Sequence, residues 1–110
     1  MSKRQSEIKI TVSVDENQIP DALSWTAADG GVEDADAKAV ILSIWEPENK
    51  ETMRIDLWTK DMPVQDMHIF LHQTLLSLAD TMERATNNDK MAAALKDYCA
   101  YYLEQTGLKK

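Results

Sequence analysis

The stretch RIDLWTKDMPVQDMHIFLHQTL, residues 54–75, decides the fold. Its first part alternates and its second part repeats at three- and four-residue steps, so a strand gives way to a helix within it. Met53, Ile55 and Leu57 fall on one side of that strand, with Arg54, Asp56 and Trp58 on the other. After the break, Asp61 suits a helix N-cap and Pro63 suits the first turn. Val64, Met67, Leu71, Leu75, Leu78 and Met82 then make an apolar stripe that runs to about residue 85.

Working upstream, AKAVILSIW (residues 37–45) is apolar on both parities, which predicts a central strand covered on both faces, or partly so. EPENKE (46–51) is a turn, with Pro47 at its second position. If Glu46 faces Glu51, then Ile44 faces Met53, Leu42 faces Ile55 and Val40 faces Leu57, and this all-apolar face meets the core. A one-residue slip would set the same three residues against Arg54, Asp56 and Trp58; a two-residue slip keeps the parity. Earlier still, Ile8, Ile10, Val12 and Val14 alternate with Glu7, Lys9, Thr11 and Ser13, the pattern of a half-buried strand. Asp15–Asn17 ends it, Pro20 and Asp21 complete a turn, and Leu23, Trp25 and Ala27 predict a second strand paired with the first. AADGGVEDADA (27–37) has glycines that allow positive φ and no periodicity afterwards, so it reads as a flexible loop. It lacks the spaced oxygen ligands of a Ca²⁺ loop.

Downstream, Thr86-Asn87-Asn88-Asp89 breaks the first helix, with Thr86 and Asp89 resembling a capping box. A second helix is predicted over residues 88–105, with Met91, Leu95, Tyr98, Cys99 and Tyr102 as its stripe and Gly107 as its stop. The order β-β-β-β-α-α predicts an α+β fold: a four-stranded antiparallel sheet followed by two C-terminal helices packed on one face. Residues 1–6 read as a flexible lead-in and residues 7–106 as a single α+β domain.

The net charge of −7 (12 Lys and Arg against 19 Asp and Glu) disfavours nucleic acid and anionic membrane surfaces as partners. No apolar run approaches the roughly 20 residues of a membrane span. MSKRQSEIKITV has a charged start without the apolar core of a secretory signal. Cys99 is the one cysteine, which excludes an intramolecular disulfide and fits a reducing compartment, so the expected location is cytoplasmic.

His68 and His72 lie one helical turn apart and are the candidate metal ligands. A site needs three or four ligands and the Glu of H-E-x-x-H is missing; Asp61 and Asp66 are the further candidates, but Asp66 projects well around the helix, so no metal is expected. Cys99 sits mid-helix within a stripe, as a packed residue does. No catalytic constellation and no cofactor motif is present, so an enzyme is not expected. The informative feature is surplus apolar surface. Away from the predicted core face the sheet carries Ile41, Trp45 and Trp58, and the first helix carries Ile69 and Leu76 on a second flank. Either the N-terminal segment or the 27–37 loop folds over the tryptophans, or these residues meet a protein partner or a second copy in a homo-oligomer.

DGG (29–31), AKAVILSIW, RIDLWTKDMPVQDM, FLHQTL, ERATNNDKM (83–91) and LKDYCAYYLE (95–104) together resemble the gliding motility protein GldC family, over about residues 6–106. The resemblance implies a small accessory protein of the gliding machinery of Bacteroidetes-type bacteria, with no catalytic motif to carry over. It also implies a wider role in cell-envelope biogenesis or secretion as an alternative. A further alternative is an export-chaperone-like binder, on the analogy of the β4α2 layout of SecB-type chaperones. A metal-dependent enzyme built on His68 and His72 is the least supported.

Overall fold

A computed structural model describes residues 4–108. The first three residues of the lead-in lie outside the described residues. Two compact units divide between Met62 and Pro63.

The first unit holds five strands in two antiparallel sheets: β1 (Lys9–Val14), β2 (Pro20–Ala27) and β3 (Val32–Ala37) in the order β1-β2-β3, and the hairpin of β4 (Ala39–Glu46) and β5 (Glu51–Trp58). This corrects the expected single four-stranded sheet, for two physical reasons. Residues 27–37 are not a loop: a 3₁₀ turn (Ala28–Gly30) leads into β3. The strand then breaks at Lys38, so β2 pairs with the segment before the break and β5 with the segment after it.

β3 hides its alternation behind a bulge. Trp25 faces Ala35 and Ala27 faces Val32, so the stretch between Val32 and Ala35 has one residue too many. Asp34 takes up the excess with φ 49°, and its N–H donates to Thr26 Oγ1 at 3.0 Å. β1 and β2 pair as their patterns predict, with Ile10 opposite Trp25 and Val12 opposite Leu23. Leu23 is buried. Between them, Asp15 accepts from the N–H groups of Asn17 (2.8 Å) and Ile19 (3.1 Å) and so builds the turn. Ser6 Oγ donates to the Asp29 carboxylate, and Arg4 lies 3.7 Å from it.

The β4–β5 register is the expected one: Glu46 faces Glu51, Ile44 faces Met53, Leu42 faces Ile55 and Val40 faces Leu57. Only part of that face is covered. Val40, Leu42 and Leu57 are half-buried, whereas Ile44, Met53 and Ile55, nearer the turn, are each more than half exposed. The whole face does not meet the core.

The second unit is a helical pair, α1 (Val64–Thr86) and α2 (Asp89–Thr106). Both spans match the periodicity; both N-caps differ from it. Pro63 occupies the cap of α1, while Asp61 is engaged elsewhere, accepting from Thr59 Oγ1 and Lys38. Asn88, rather than Thr86, caps α2, accepting from the Met91 N–H at 3.1 Å. Asn87 ends α1 with φ 57°. Gly107 ends α2 with φ 73°, and the Leu108 N–H returns to the Leu103 carbonyl at 3.0 Å, a Schellman closure. The residues buried in the pair are small (Ala79, Ala92 and Cys99), while Val64, Leu78, Met91 and Tyr98 of the predicted stripes are exposed. The apolar stripes are therefore wider than the covered seam.

Candidate functional site

In the first unit, the features that position side chains centre on Thr59, the residue after β5. Thr59 is wholly buried. Its N–H donates to the Lys38 carbonyl (2.9 Å), its carbonyl accepts from Met62 (3.1 Å), and its hydroxyl donates to Asp61 Oδ1 (2.6 Å). Lys38 Nζ reaches the other Asp61 oxygen at 3.2 Å. Next to it, the Lys60 N–H donates to the Pro20 carbonyl (3.0 Å) and Lys60 Nζ lies 2.9 Å from Asp15. The sequence TKD therefore ties the end of β5 to the bend between β3 and β4 and to the start of β2. The Lys60 ammonium, then the backbone N–H groups, hold the Asp15 carboxyl below the usual range. The Thr59 hydroxyl, then Lys38, do the same for Asp61.

This anchor fixes how the β4–β5 hairpin is presented. One face carries Ile41, Trp45 and Trp58 with Ser43, Arg54 and Asp56. Trp45 is 60 % and Trp58 53 % exposed, so among the described residues neither the lead-in nor residues 27–37 cover them. They do not touch. Trp58 faces Ala39, and Trp45 lies six residues further along β4, about 20 Å away by strand rise. Between them Ile41 is exposed, and Arg54 and Asp56 form a 3.4 Å ion pair. The opposite face adds Ile44, Met53 and Ile55, so towards its turn this two-stranded sheet exposes large apolar side chains on both sides. Sequence reasoning missed those three because it gave them to the core. The signal was present in the two-sided apolar pattern of residues 39–45.

In the second unit, His68 and His72 converge on one tyrosine. His68 Nδ1 and Tyr102 Oη share a 2.7 Å hydrogen bond, with their rings edge to face at 5.6 Å. His72 stacks on the same ring at 6.2 Å. Burial, then the neighbouring Tyr98, push the Tyr102 hydroxyl up, so it keeps its proton at neutral pH. Tyr102 lies in the apolar stripe of α2, and nothing in spacing alone joins it to the histidines. No group of three or more His, Cys, Asp or Glu side chains able to hold a metal occurs among the described residues. Cys99 is buried, and burial pushes its thiol up, away from the reactive thiolate.

Ile69 and Leu76 come together in a groove of about 860 Å³, lined also by His72, Gln73, Leu103 and Leu108. The lining is mostly apolar, and the Schellman closure at Gly107 supplies its Leu103–Leu108 wall.

A family model described as gliding motility-associated protein GldC-like matches residues 20–108. The chain belongs to this family. The matched span opens at Pro20, the first residue of β2, and takes in the hairpin, the Thr59 anchor and the helical pair. β1 lies outside the GldC-like match. Neither a curated protein nor a solved structure matches the chain at a significant level. No helix among the described residues is long and apolar enough to cross a membrane.

Proposed function

We propose that this GldC-like protein is a non-enzymatic, cytoplasmic accessory protein of bacterial gliding motility that acts through protein–protein contacts. The observation that carries the reading is the β4–β5 hairpin, whose large apolar side chains are open on both faces within the family-matched span. Exposed apolar side chains gathered on one element mark interaction sites, and tryptophans are strong anchors in them. Ile41, Trp45 and Trp58 form one contact surface, and the Ile69–Leu76 groove forms a second. The export-chaperone analogy rested on a four-strand layout, and five strands in two sheets remove its basis.

The test is in-cell crosslinking and pull-down of tagged wild-type protein beside Trp58→Glu and Leu76→Glu in a gliding bacterium. Circular dichroism establishes that both variants fold. Capture of a motility component by wild type and its loss in either variant supports the role and identifies the surface. Capture of the same component by all three proteins would show that these surfaces are the wrong ones.

A further inference from the structure

We propose that a second copy of this chain pairs with β5, edge to edge and antiparallel, about a two-fold axis through Ile55. The inference concerns a backbone edge and is independent of the motility reading.

Three observations lead to it. Among the described residues β5 pairs with β4 alone, and residues 51–56 are exposed throughout. A two-stranded sheet is marginal by itself and gains from a third strand. The phase of the free edge is also fixed. Thr59, opposite Lys38, donates its N–H to the Lys38 carbonyl, so Leu57, Ile55 and Met53 also turn their backbone groups towards β4. Thr52, Arg54, Asp56 and Trp58 therefore turn theirs outward. That row of unpaired groups is a template for another strand.

The side chains then select the strand. With Ile55 on the axis, Arg54 faces Asp56 of the second copy, Met53 faces Leu57, and Thr52 faces Trp58. Met53, Ile55 and Leu57 each meet an apolar residue, and the two Arg54–Asp56 pairs are attractive. Moving the axis to Arg54 sets arginine against arginine, and moving it to Asp56 sets aspartate against aspartate. An axis at Met53 places Glu51 opposite Ile55; one at Leu57 places Asp56 opposite Trp58 and Ile55 opposite the buried Thr59. A slip of one residue sets Ile55 against Arg54 or Asp56. Charges on an edge strand ordinarily forbid pairing. Here they forbid the neighbouring registers and favour one, which is how specificity arises from repulsion. The existing Arg54–Asp56 ion pair of 3.4 Å would become a ring of four alternating charges.

Sedimentation equilibrium of the purified full chain tests this, with Arg54→Asp and Asp56→Arg examined singly and mixed. Wild type is expected to dimerise. Each reversal, acting on both symmetric pairs, is expected to weaken the dimer roughly tenfold or more. An equimolar mixture of the two variants restores association, because each then faces its complement. Ile55→Cys is expected to form a disulfide with its own kind under mild oxidation, since a non-hydrogen-bonded pair brings Cα atoms within disulfide range; Met53→Cys is not. If circular dichroism shows a charge variant unfolded, the cysteine pair decides. A wild-type monomer at about 100 µM, a dimer indifferent to both reversals, or crosslinking at Met53→Cys instead of Ile55→Cys would each overturn the proposal.

Discussion

Tyr102→Phe removes one oxygen and leaves a ring of the same shape beside two imidazoles. The oxygen makes the 2.7 Å hydrogen bond to His68 Nδ1. The ring packs edge to face on His68 at 5.6 Å and stacks on His72 at 6.2 Å. A neutral hydrogen bond contributes about 1 kcal/mol net. Both partners are half-buried, so His68 regains some water when the hydroxyl is lost, and about 0.5–1 kcal/mol is expected for Tyr102→Phe. Tyr102→Ala also removes the aromatic contacts and the packed ring, for a total of about 2–3 kcal/mol. Urea unfolding followed by helical circular dichroism measures both. A double-mutant cycle of Tyr102→Phe with His68→Ala should show a coupling close to the whole Tyr102→Phe loss. Zero coupling, or a Tyr102→Phe variant within about 0.3 kcal/mol of wild type, would refute the reasoning. The histidines would then be free of the tyrosine and the question of a ligand would reopen.

At the start of α2, Asn88→Ala should cost about 1 kcal/mol in the same assay, while Asn88→Asp, which keeps an oxygen for the Met91 N–H, should be nearly silent. Asp15 has a folded pKa below its unfolded one because of Lys60 and the Ile19 and Asn17 N–H groups. Its stabilisation is therefore complete above the unfolded value of about 4 and is lost as the pH falls through the folded value. Urea midpoints measured between about pH 2 and 6 should fall less steeply on the acid side for Asp15→Asn than for wild type. Cys99 is buried with its thiol pushed up, so a thiol reagent at mildly alkaline pH should label it only after denaturant is added, and equally fast labelling of native and unfolded protein would contradict its placement.

The parts legible in the sequence are those where one rule dominates. The β4–β5 register follows from parity, because shifting by one residue would bury Arg54 and Asp56. Both helix spans follow from periodicity, and Gly107 stops α2 by a backbone geometry that glycine adopts freely. The parts that stayed hidden are those where two rules compete. β3 is built from Val, Glu, Asp and Ala, mostly poor strand formers, and the bulge at Asp34 breaks its period, so neither propensity nor pattern reveals it. Asp61 looks like a cap because it precedes Pro63, but Thr59 and Lys38 hold its carboxylate first. For the candidate surfaces, the sequence supplied Ile41, Trp45, Trp58, Ile69 and Leu76, all of them exposed. It could not supply their spacing, since the distance between Trp45 and Trp58 depends on strand pairing. Nor could it join Tyr102 to His68 and His72, 34 and 30 positions away.

If β5 pairs with a second copy as proposed, a partner that recognises the hairpin would meet a different surface from the one a single copy presents. Within one copy Trp45 and Trp58 stand at opposite ends of a face. In the paired sheet Thr52 of the second copy lies beside Trp58, and Trp45 of that copy lies beside Thr52. The two tryptophans then flank one threonine across adjacent strands, about 10 Å apart by strand spacing rather than about 20 Å along the strand. The arrangement occurs twice, once on each side of the two-fold axis. A partner that engages this aromatic row would bind the dimer and lose affinity for the charge-reversed monomer even though Arg54 and Asp56 need not touch it. Measuring partner capture with Arg54→Asp, with Asp56→Arg and with their mixture therefore separates the two cases. Capture that returns only in the mixture places the binding surface across two copies. Capture by each variant separately places it within one.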